Sequence, residues 1–417
     1  MTTRPGTDPA TILFTHYGDE WIRGSERCLL DLLSHLDRKR FEPVVWCNSR
    51  IMAERVGELG IKVYRSDFPL LLGWQHPRFD ITSFSRLVRE GLRLVDRHGV
   101  SLIHANSGAP NQWLNIVARA RRLPLVAHLH SRYQFRERLT LGLHQVGVAV
   151  GVSQPVVDPL LGDGMPAKRI RVIPNGVDAD YSDRQQPVEL RRQFGLDNRD
   201  FLILAVGSLI RRKGFDLVIN ALPSLLEKGI PIKLVIIGDG PAREELQQQV
   251  LRLALQDHVF LAGESSNVAG CLKGGADLLV SGAREEVFGL VLAEAGLAAL
   301  PVIAPRVGGI PGVVIDGVTG MLVPAENSSA LSAAIAELHD NPERRRSMGE
   351  AARQHVTANL SVKSYTENFE VLYENLLDSK QENLRWYSHW ETWRLAITAL
   401  RVFIKNVASR PLKTEAA

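Results

Sequence analysis

Short apolar strands alternate with amphipathic helices along most of this chain, and that alternation leaves few folds open. A strand, a helix and another strand in close succession read as a parallel pair, because parallel neighbours need a crossover of helical length. The first run holds TILFTH (11–16), VVWC (44–47), IKVY (61–64), SLIH (101–104), PLVAHLH (124–130) and apolar segments near 145–152 and 170–174. Between them lie helical patterns. One has Cys28, Leu29, Leu32, Leu33 and Leu36 at helical spacing and Ser25 as its expected cap; others cover 83–97 and 112–121. The alternation breaks at DADYSDRQQPVELRRQFGLDNRD (178–200), then restarts with FLILAVG, IKLVIIG, HVFLAG and DLLV. Two such runs predict an α/β protein of two doubly wound, Rossmann-like domains facing each other across a cleft. The expected division is a disordered tail over 1–10, a first domain over 11–178, a linker over 179–200, a second domain over 201–377 and a helical tail over 378–417.

A length of 417 residues allows two separate cores, and 45% hydrophobic with 23% charged residues is a soluble, globular composition. The formal net charge of +4 gives no global case for nucleic acid. Cys28, Cys47 and Cys271 are widely spaced and form neither a disulfide framework nor a metal pattern. The opening MTTRPGTDPA lacks an apolar signal core, and no apolar run reaches the ~18 residues of a membrane span. Together these features predict a cytoplasmic protein that needs no metal cofactor.

The stretch richest in chemistry is SGAREEVFGLVLAEAGLAALPVIAPRVGGIPG (281–312). A strand ends at Ser281, a polar loop follows, and a helical pattern begins at Phe288-Gly289. A helix start leaves N–H groups unpaired and places the positive dipole end at the loop, which suits a phosphate. Glu286 precedes that start and Glu294 follows it inside the helix. Helical side chains lean toward the N-terminus, and eight residues span roughly 12 Å, about a sugar plus a diphosphate. The plain alternative is a solvated Glu294 and a Glu286 that merely complements the dipole; spacing alone leaves both readings open.

Glu286 and Glu294, with Phe288-Gly289-Leu290 between them, resemble the E-x7-E signature of retaining glycosyltransferases of family 4, and PVIAPRVGGIPGVVIDGVTGMLV resembles that family's next segment. The similarity covers most of residues 11–377 and is most specific over 171–325. It implies the GT-B architecture, with the first domain on the acceptor side and the second binding a nucleotide-sugar. Gly207-Ser208-Leu209-Ile210-Arg211-Arg212-Lys213-Gly214 matches the family's diphosphate segment at Lys213, but Ser208 stands where arginine is usual. Gly24-Ser25-Glu26-Arg27 resembles the glycine-rich G-G-x-E-R, and His130 matches the family histidine near the transferring sugar. The resemblance assigns His130, Lys213 and Glu286 to catalysis. It assigns Gly24, Ser208, Lys213, Glu264, Glu286, Phe288, Gly289, Leu290 and Glu294 to the donor, with Glu264 in the GESSN loop beside the base. Val287 and Gly312 depart from the family's E-G-F-G and G-G-x-P-E. Asp178-Ala179-Asp180 matches a D-x-D metal motif but falls in the family's NGVD turn and reads as structural. Gly238-Asp239-Gly240-Pro241 lacks the third glycine of a dinucleotide fingerprint and reads as a tight turn.

The expected activity is retaining transfer of a hexosyl unit from a nucleotide-sugar to a lipid-linked, polysaccharide or other glycan acceptor. The alternatives are a GT-B sugar-nucleotide epimerase and an inactive GT-B adaptor. In the tail, Trp386, Trp390, Trp393, Ile397, Leu400, Ile404 and Val407 recur at spacings of four and three, among basic residues. That stripe packs either on the protein itself or, through residues 381–413, on an anionic membrane surface. The basic, aromatic segment of Arg132, Tyr133, Phe135, Arg136 and Arg138 adds to the second reading.

Overall fold

The computed structural model describes residues 8–72 and 79–378. The tryptophan-rich stripe and the 1–7 stretch lie outside them. The chain forms two compact units: one runs to Ile173 and resumes at Thr366, and the other is Pro174–Tyr365.

The first unit alternates β1 (Ala10–His16), α1 (Gly24–His35), β2 (Phe41–Cys47), α2 (Arg50–Glu58), β3 (Lys62–Arg65), α3 (Ile81–His98) and β4 (Leu102–Asn106). It continues with α4 (Asn111–Arg121), β5 (Leu125–Leu129), α5 (Phe135–Thr140), β6 (Val148–Gly151), α6 (Gln154–Gly162) and β7 (Ile170–Val172). All pairs are parallel, in the order β3-β2-β1-β4-β5-β6-β7. Ile12, Leu13, Phe14, Val45, Trp46, Ile103 and Val126 are fully buried, as expected of strands covered on both faces. The winding reverses between β1 and β4, so their carboxyl ends flank the crevice where such sheets bind ligands.

The second unit begins with α7 (Ala179–Arg184) and α8 (Leu190–Gln193), then β8 (Phe201–Val206), α9 (Phe215–Glu227), β9 (Ile232–Ile237), α10 (Arg243–Arg252) and β10 (Val259–Gly263). There follow α11 (Val268–Leu272), β11 (Leu278–Val280), α12 (Leu290–Leu297), β12 (Val302–Pro305), β13 (Gly320–Val323), α13 (Ser328–Asp340), α14 (Pro342–Asn359) and α15 (Val362–Asp378). The parallel order β10-β9-β8-β11-β12-β13 puts the reversal between β8 and β11. Ile203, Leu204, Val218, Leu222, Leu234 and Ile335 fill its core.

Three details differ from the sequence expectation. The linker expected over 179–200 is packed structure: Lys273 Nζ donates to the carbonyls of Ser182 (3.0 Å) and Gln185 (2.8 Å), and Arg191 pairs with Asp277 at 3.0 Å. Its polarity serves these contacts rather than solvent. The end of the last helix belongs to the first unit, because Phe369 and Tyr373 stack on Phe14, Phe41, His104 and His128 there. Glu370 fixes it by pairing with Arg40 at 2.8 Å and accepting the Asp37 N–H at 2.8 Å. Finally, the cap of α1 is Arg23, not Ser25, since Glu26 reaches back to accept the Arg23 N–H at 3.1 Å.

Candidate functional site

In the second unit, two loops at the reversal point are stapled together. Gly214 ends the short helical turn Arg211–Lys213 in the left-handed conformation, φ +64°. A Cβ there would stand 1.8 Å from the Gly282 carbonyl oxygen, so only glycine lets the two backbones meet. Arg284 then donates to both Asp216 oxygens at 2.8 and 2.6 Å, and its own N–H donates to the Arg212 carbonyl at 2.9 Å. Burial would raise the Asp216 carboxyl, but Arg284 outweighs it and holds that carboxyl below its ordinary range.

This staple brings Lys213 to Glu286, Nζ to Oε2 at 2.5 Å, with side chains 21% and 10% exposed. The other oxygen of Glu286 accepts the Val287 N–H at 3.1 Å. Behind the loop, a Cβ on Gly308 (φ +51°) would lie 1.8 Å from the Glu286 carbonyl oxygen, and Gly309 donates to that oxygen at 2.9 Å. Gly289, at φ +98°, opens α12. Lys213, Glu286, Ser281, Gly282 and the first turn of α12, through Val291 and Leu292, line one pocket with Val206 and Phe215. The Phe288 side chain is buried and anchors the loop.

The other expected donor residues are placed less centrally. Ser208 is half-buried in the turn after β8, Glu264 is exposed just past β10, and Glu294 is half-buried on α12, a turn beyond Leu290. None of these three lines the pocket. Gly24 is the exposed first residue of α1, in the other unit. Asp178 caps α7 by accepting the Tyr181 N–H at 2.8 Å, a structural role. Gly238 pairs with Gly263 and packs on the Gly207 carbonyl, so the 238–241 stretch is a turn that braces β8. Among the described residues no cluster of three or more His, Cys, Asp and Glu is gathered as a metal site.

In the first unit, polar residues end the three strands at the reversal. His16 closes β1, Asn106 closes β4, and His130 follows β5. His130 Nε2 lies 2.9 Å from Asn106 Oδ1, Asn106 Nδ2 lies 2.9 Å from His16 Nδ1, and His16 Nε2 lies 3.1 Å from Glu26 Oε1. Behind them are His128, 4.1 Å from His130 between ring centroids, and His104, whose Nδ1 is 2.6 Å from the Tyr373 hydroxyl. Burial first, then the neighbouring His16, pushes His130 down to about 3, against an opposing pull from Glu26. Burial first, then His130, likewise lowers His104 to about 3. Burial would raise Glu26, but the hydrogen bond and charge of His16 and the backbone N–H groups bring it down to about 2. His16, Asn106 and Glu26 were not among the expected site residues. Their readable signal is a polar residue at the carboxyl end of a strand in a doubly wound sheet.

These shifts fix how the fold meets acid. Each histidine is neutral when folded, and the unfolded chain binds its proton at the ordinary 6.5, so stability complete above about 6.5 drains as pH falls toward about 3. The Glu26 contribution, present above its ordinary 4.5, is lost as pH falls through about 2. The urea midpoint is expected to drop steadily from pH 7 to 4.5 in wild type and less steeply in His104→Gln. A flat midpoint over that range contradicts the assignment.

The sequence of residues 22–181 matches the model of the family described as Glycosyltransferase Family 4, and 188–355 that of Glycosyl transferases group 1. The N-acetyl-alpha-D-glucosaminyl L-malate synthase of Bacillus anthracis is 25% identical over 315 residues, 73% of this chain and 81% of that one. The GDP-mannose-dependent alpha-(1-6)-phosphatidylinositol monomannoside mannosyltransferase of Mycolicibacterium smegmatis is 28% identical over 326 residues, 74% of this chain and 82% of that one. In fold, Anabaena HepE crystallised with UDP superposes with a TM-score of 0.76 at 22% identity, covering 88% of this chain and all of that one (100%).

Proposed function

This chain belongs to the family 4 glycosyltransferases and has their two-domain α/β GT-B fold, and from that premise we propose that it transfers a hexosyl unit, with retention, from a nucleotide-sugar to a glycan or lipid-linked acceptor. The observation that carries the reading is the Lys213–Glu286 pair at the start of α12, at the reversal of the second sheet. A cation beside a helix N-terminus suits a diphosphate, and a carboxylate beside both suits sugar hydroxyls. In this reading Lys213 and the first N–H groups of α12 stabilise the charge that grows on the departing nucleoside diphosphate. Glu286 accepts from hydroxyls of the transferred sugar and Glu294 from the ribose; in the first unit, His130 is the group suited to a sugar hydroxyl. The anomeric C–O bond to phosphate breaks as a bond to the acceptor oxygen forms on the same face, and the acceptor's proton passes to the leaving phosphate. No metal takes part.

The relatives point the same way: the mycolicibacterial one is named for GDP-mannose and a phosphatidylinositol mannoside, and HepE was crystallised with UDP. Transfer and slow donor hydrolysis across UDP-, GDP- and ADP-sugars test the proposal. One donor is expected to turn over, and Glu294→Gln is expected to raise its KM by roughly ten- to a hundredfold, the worth of a hydrogen bond to a charged group. Interconversion of the sugar without any acceptor would favour the epimerase. Absence of turnover with every donor would leave the adaptor.

A membrane-presented acceptor is the fitting class. Arg132, Arg136 and Leu139 are exposed around α5, on the loop side that follows β5, whereas Arg138, expected on the same face, is buried and donates to Asp163 at 2.6 and 2.9 Å; among the described residues no helix is long and apolar enough to cross a membrane. Basic and apolar side chains together suit an anionic lipid surface. Full-length protein is expected to sediment with anionic liposomes at low salt and to lose that binding when truncated at Asp378. Protein left wholly in the supernatant would contradict the proposal.

A further inference from the structure

We infer that Asn106 is a positioning residue that locks His130 in one tautomer, with the proton on Nε2 and a bare Nδ1 that accepts a hydrogen bond from a sugar hydroxyl. The argument follows donors and acceptors along the buried chain. Glu26 Oε1 only accepts, so His16 Nε2, at 3.1 Å, carries a proton toward it. Glu26 Oε2 is already engaged by the Arg23 N–H at 3.1 Å, which fixes the carboxylate. His16 Nδ1 lies 3.0 Å from the main-chain carbonyl of Asn106, an acceptor, and 2.9 Å from its side-chain nitrogen, so His16 does not decide which way the amide faces. The Ser25 carbonyl decides it: it only accepts, and the side-chain nitrogen of Asn106 donates to it at 3.2 Å. With the nitrogen turned to Ser25, the Asn106 oxygen faces His130 Nε2 at 2.9 Å, and an amide oxygen accepts only from a protonated ring nitrogen. The links from Ser25 through Asn106 to His130 thus have one consistent direction.

The remaining ring nitrogen, Nδ1 of His130, has no hydrogen-bond partner among the described residues. The ring stays neutral in this setting because burial disfavours its charged form and the neighbouring His16 opposes a further positive charge. His128 and His104 stand behind it, and His16, hydrogen-bonded to Glu26, lies across Asn106. A neutral histidine with a fixed bare nitrogen reads a hydroxyl as donor, so it discriminates against a sugar that has lost that hydroxyl. This assignment rests on the proposed glycosyl transfer for its meaning, but not for its geometry.

The test begins with the wild-type protein, without ligand. Nitrogen-15 labelling of histidine with proton–nitrogen correlation spectra distinguishes Nε2–H, Nδ1–H and charged rings, and loss of a signal set in His130→Gln identifies its resonances. The expected result is a neutral Nε2–H ring throughout pH 5.5–8, a window set by the ordinary histidine range. A neutral Nδ1–H ring, or a charged ring at pH 7, overturns the inference whatever the enzyme does. Asn106→Ala is expected to lower kcat/KM about tenfold, one neutral hydrogen bond's worth, and to give mixed tautomers. Asn106→Asp places a carboxylate on Nε2, which favours the charged ring. Its activity is expected to fall as pH drops through a new ionisation that wild type lacks. Wild-type rates and pH profile in both variants would also overturn it. If the wild type turns over no donor, the proposed function fails, and the spectra still decide the tautomer.

Discussion

Lys213→Ala is expected to lower kcat by about two to three orders of magnitude, the usual effect of removing one preorganised group from developing charge. The physical reason is that Lys213 Nζ is held 2.5 Å from Glu286 in a pocket that Val291 and Leu292 of the first turn of α12 also line. Before a donor enters, each member of the pair satisfies the other. In the proposed reaction an arriving diphosphate offers the ammonium a stronger partner and frees Glu286 to accept from sugar hydroxyls. The stability cost of the substitution is expected to be small, about 1–2 kcal/mol, because the lysine keeps some solvent and Glu286 retains the Val287 N–H. Lys213→Arg is expected to recover only part of the rate, since a planar fork does not fit the space of a point charge set in a tight turn. Single-turnover rates with saturating donor, beside an unfolding curve, separate the two effects. A wild-type kcat in Lys213→Ala would remove Lys213 from the chemistry.

The fold was largely legible because parallel α/β sheets write themselves in the order of the chain. Each strand run that the hydrophobic pattern marks, from TILFTH to DLLV, appears as a strand of the expected sheet, and within each sheet every connection carries a helix except β12 to β13, which crosses with only the short turn Ile310–Gly312. What local pattern cannot see is which unit a helix will pack on. The apolar residues of 362–378 have helical spacing, but only the aromatic faces of Phe14, Phe41 and His104 decide that Phe369 and Tyr373 join the first unit. The same holds for 178–200, whose polarity resembles a linker until Asp277 and Lys273 are found beside it.

The candidate site was legible where its residues lie close in sequence. Glu286 and the glycine of the helix start fall within one strand-loop-helix, whereas Glu294, in the same stretch, stands outside the pocket. Its partnerships were not, because they join residues 73 apart, as in Lys213 with Glu286, or 90 apart, as in His16 with Asn106. His16 shows why: at the end of an apolar strand, a histidine is indistinguishable from a structural one until Asn106 and Glu26 are placed against it. Gly282 shows the same limit, since nothing local announces that its carbonyl will press on Gly214.

Those close backbone approaches give the largest expected loss of stability. Gly214→Ala combines two insults: φ of +64°, which an alanine adopts at a cost of about 1 kcal/mol, and a Cβ 1.8 Å from the Gly282 carbonyl oxygen. No flexible side chain can yield there, since the obstacle is backbone. The turn must open, and with it go the Arg284 staple and the placing of Lys213, at a total cost of about 3 kcal/mol or more. Gly308→Ala is expected to act likewise from the other side, because its Cβ would strike the Glu286 carbonyl at 1.8 Å with φ at +51°. Two controls separate the causes. Gly60 has φ +68° and nothing within 4 Å, so Gly60→Ala tests the conformational cost alone, about 1 kcal/mol. Gly312 has neither a left-handed φ nor a neighbour within 4 Å, so Gly312→Ala is expected to change stability by less than about 0.5 kcal/mol. Urea unfolding should rank the variants Gly312, Gly60, then Gly214 and Gly308 together, with turnover lost only in the last pair. If Gly214→Ala costs no more than Gly60→Ala and keeps its turnover, the 214–282 contact does not hold Lys213 against Glu286.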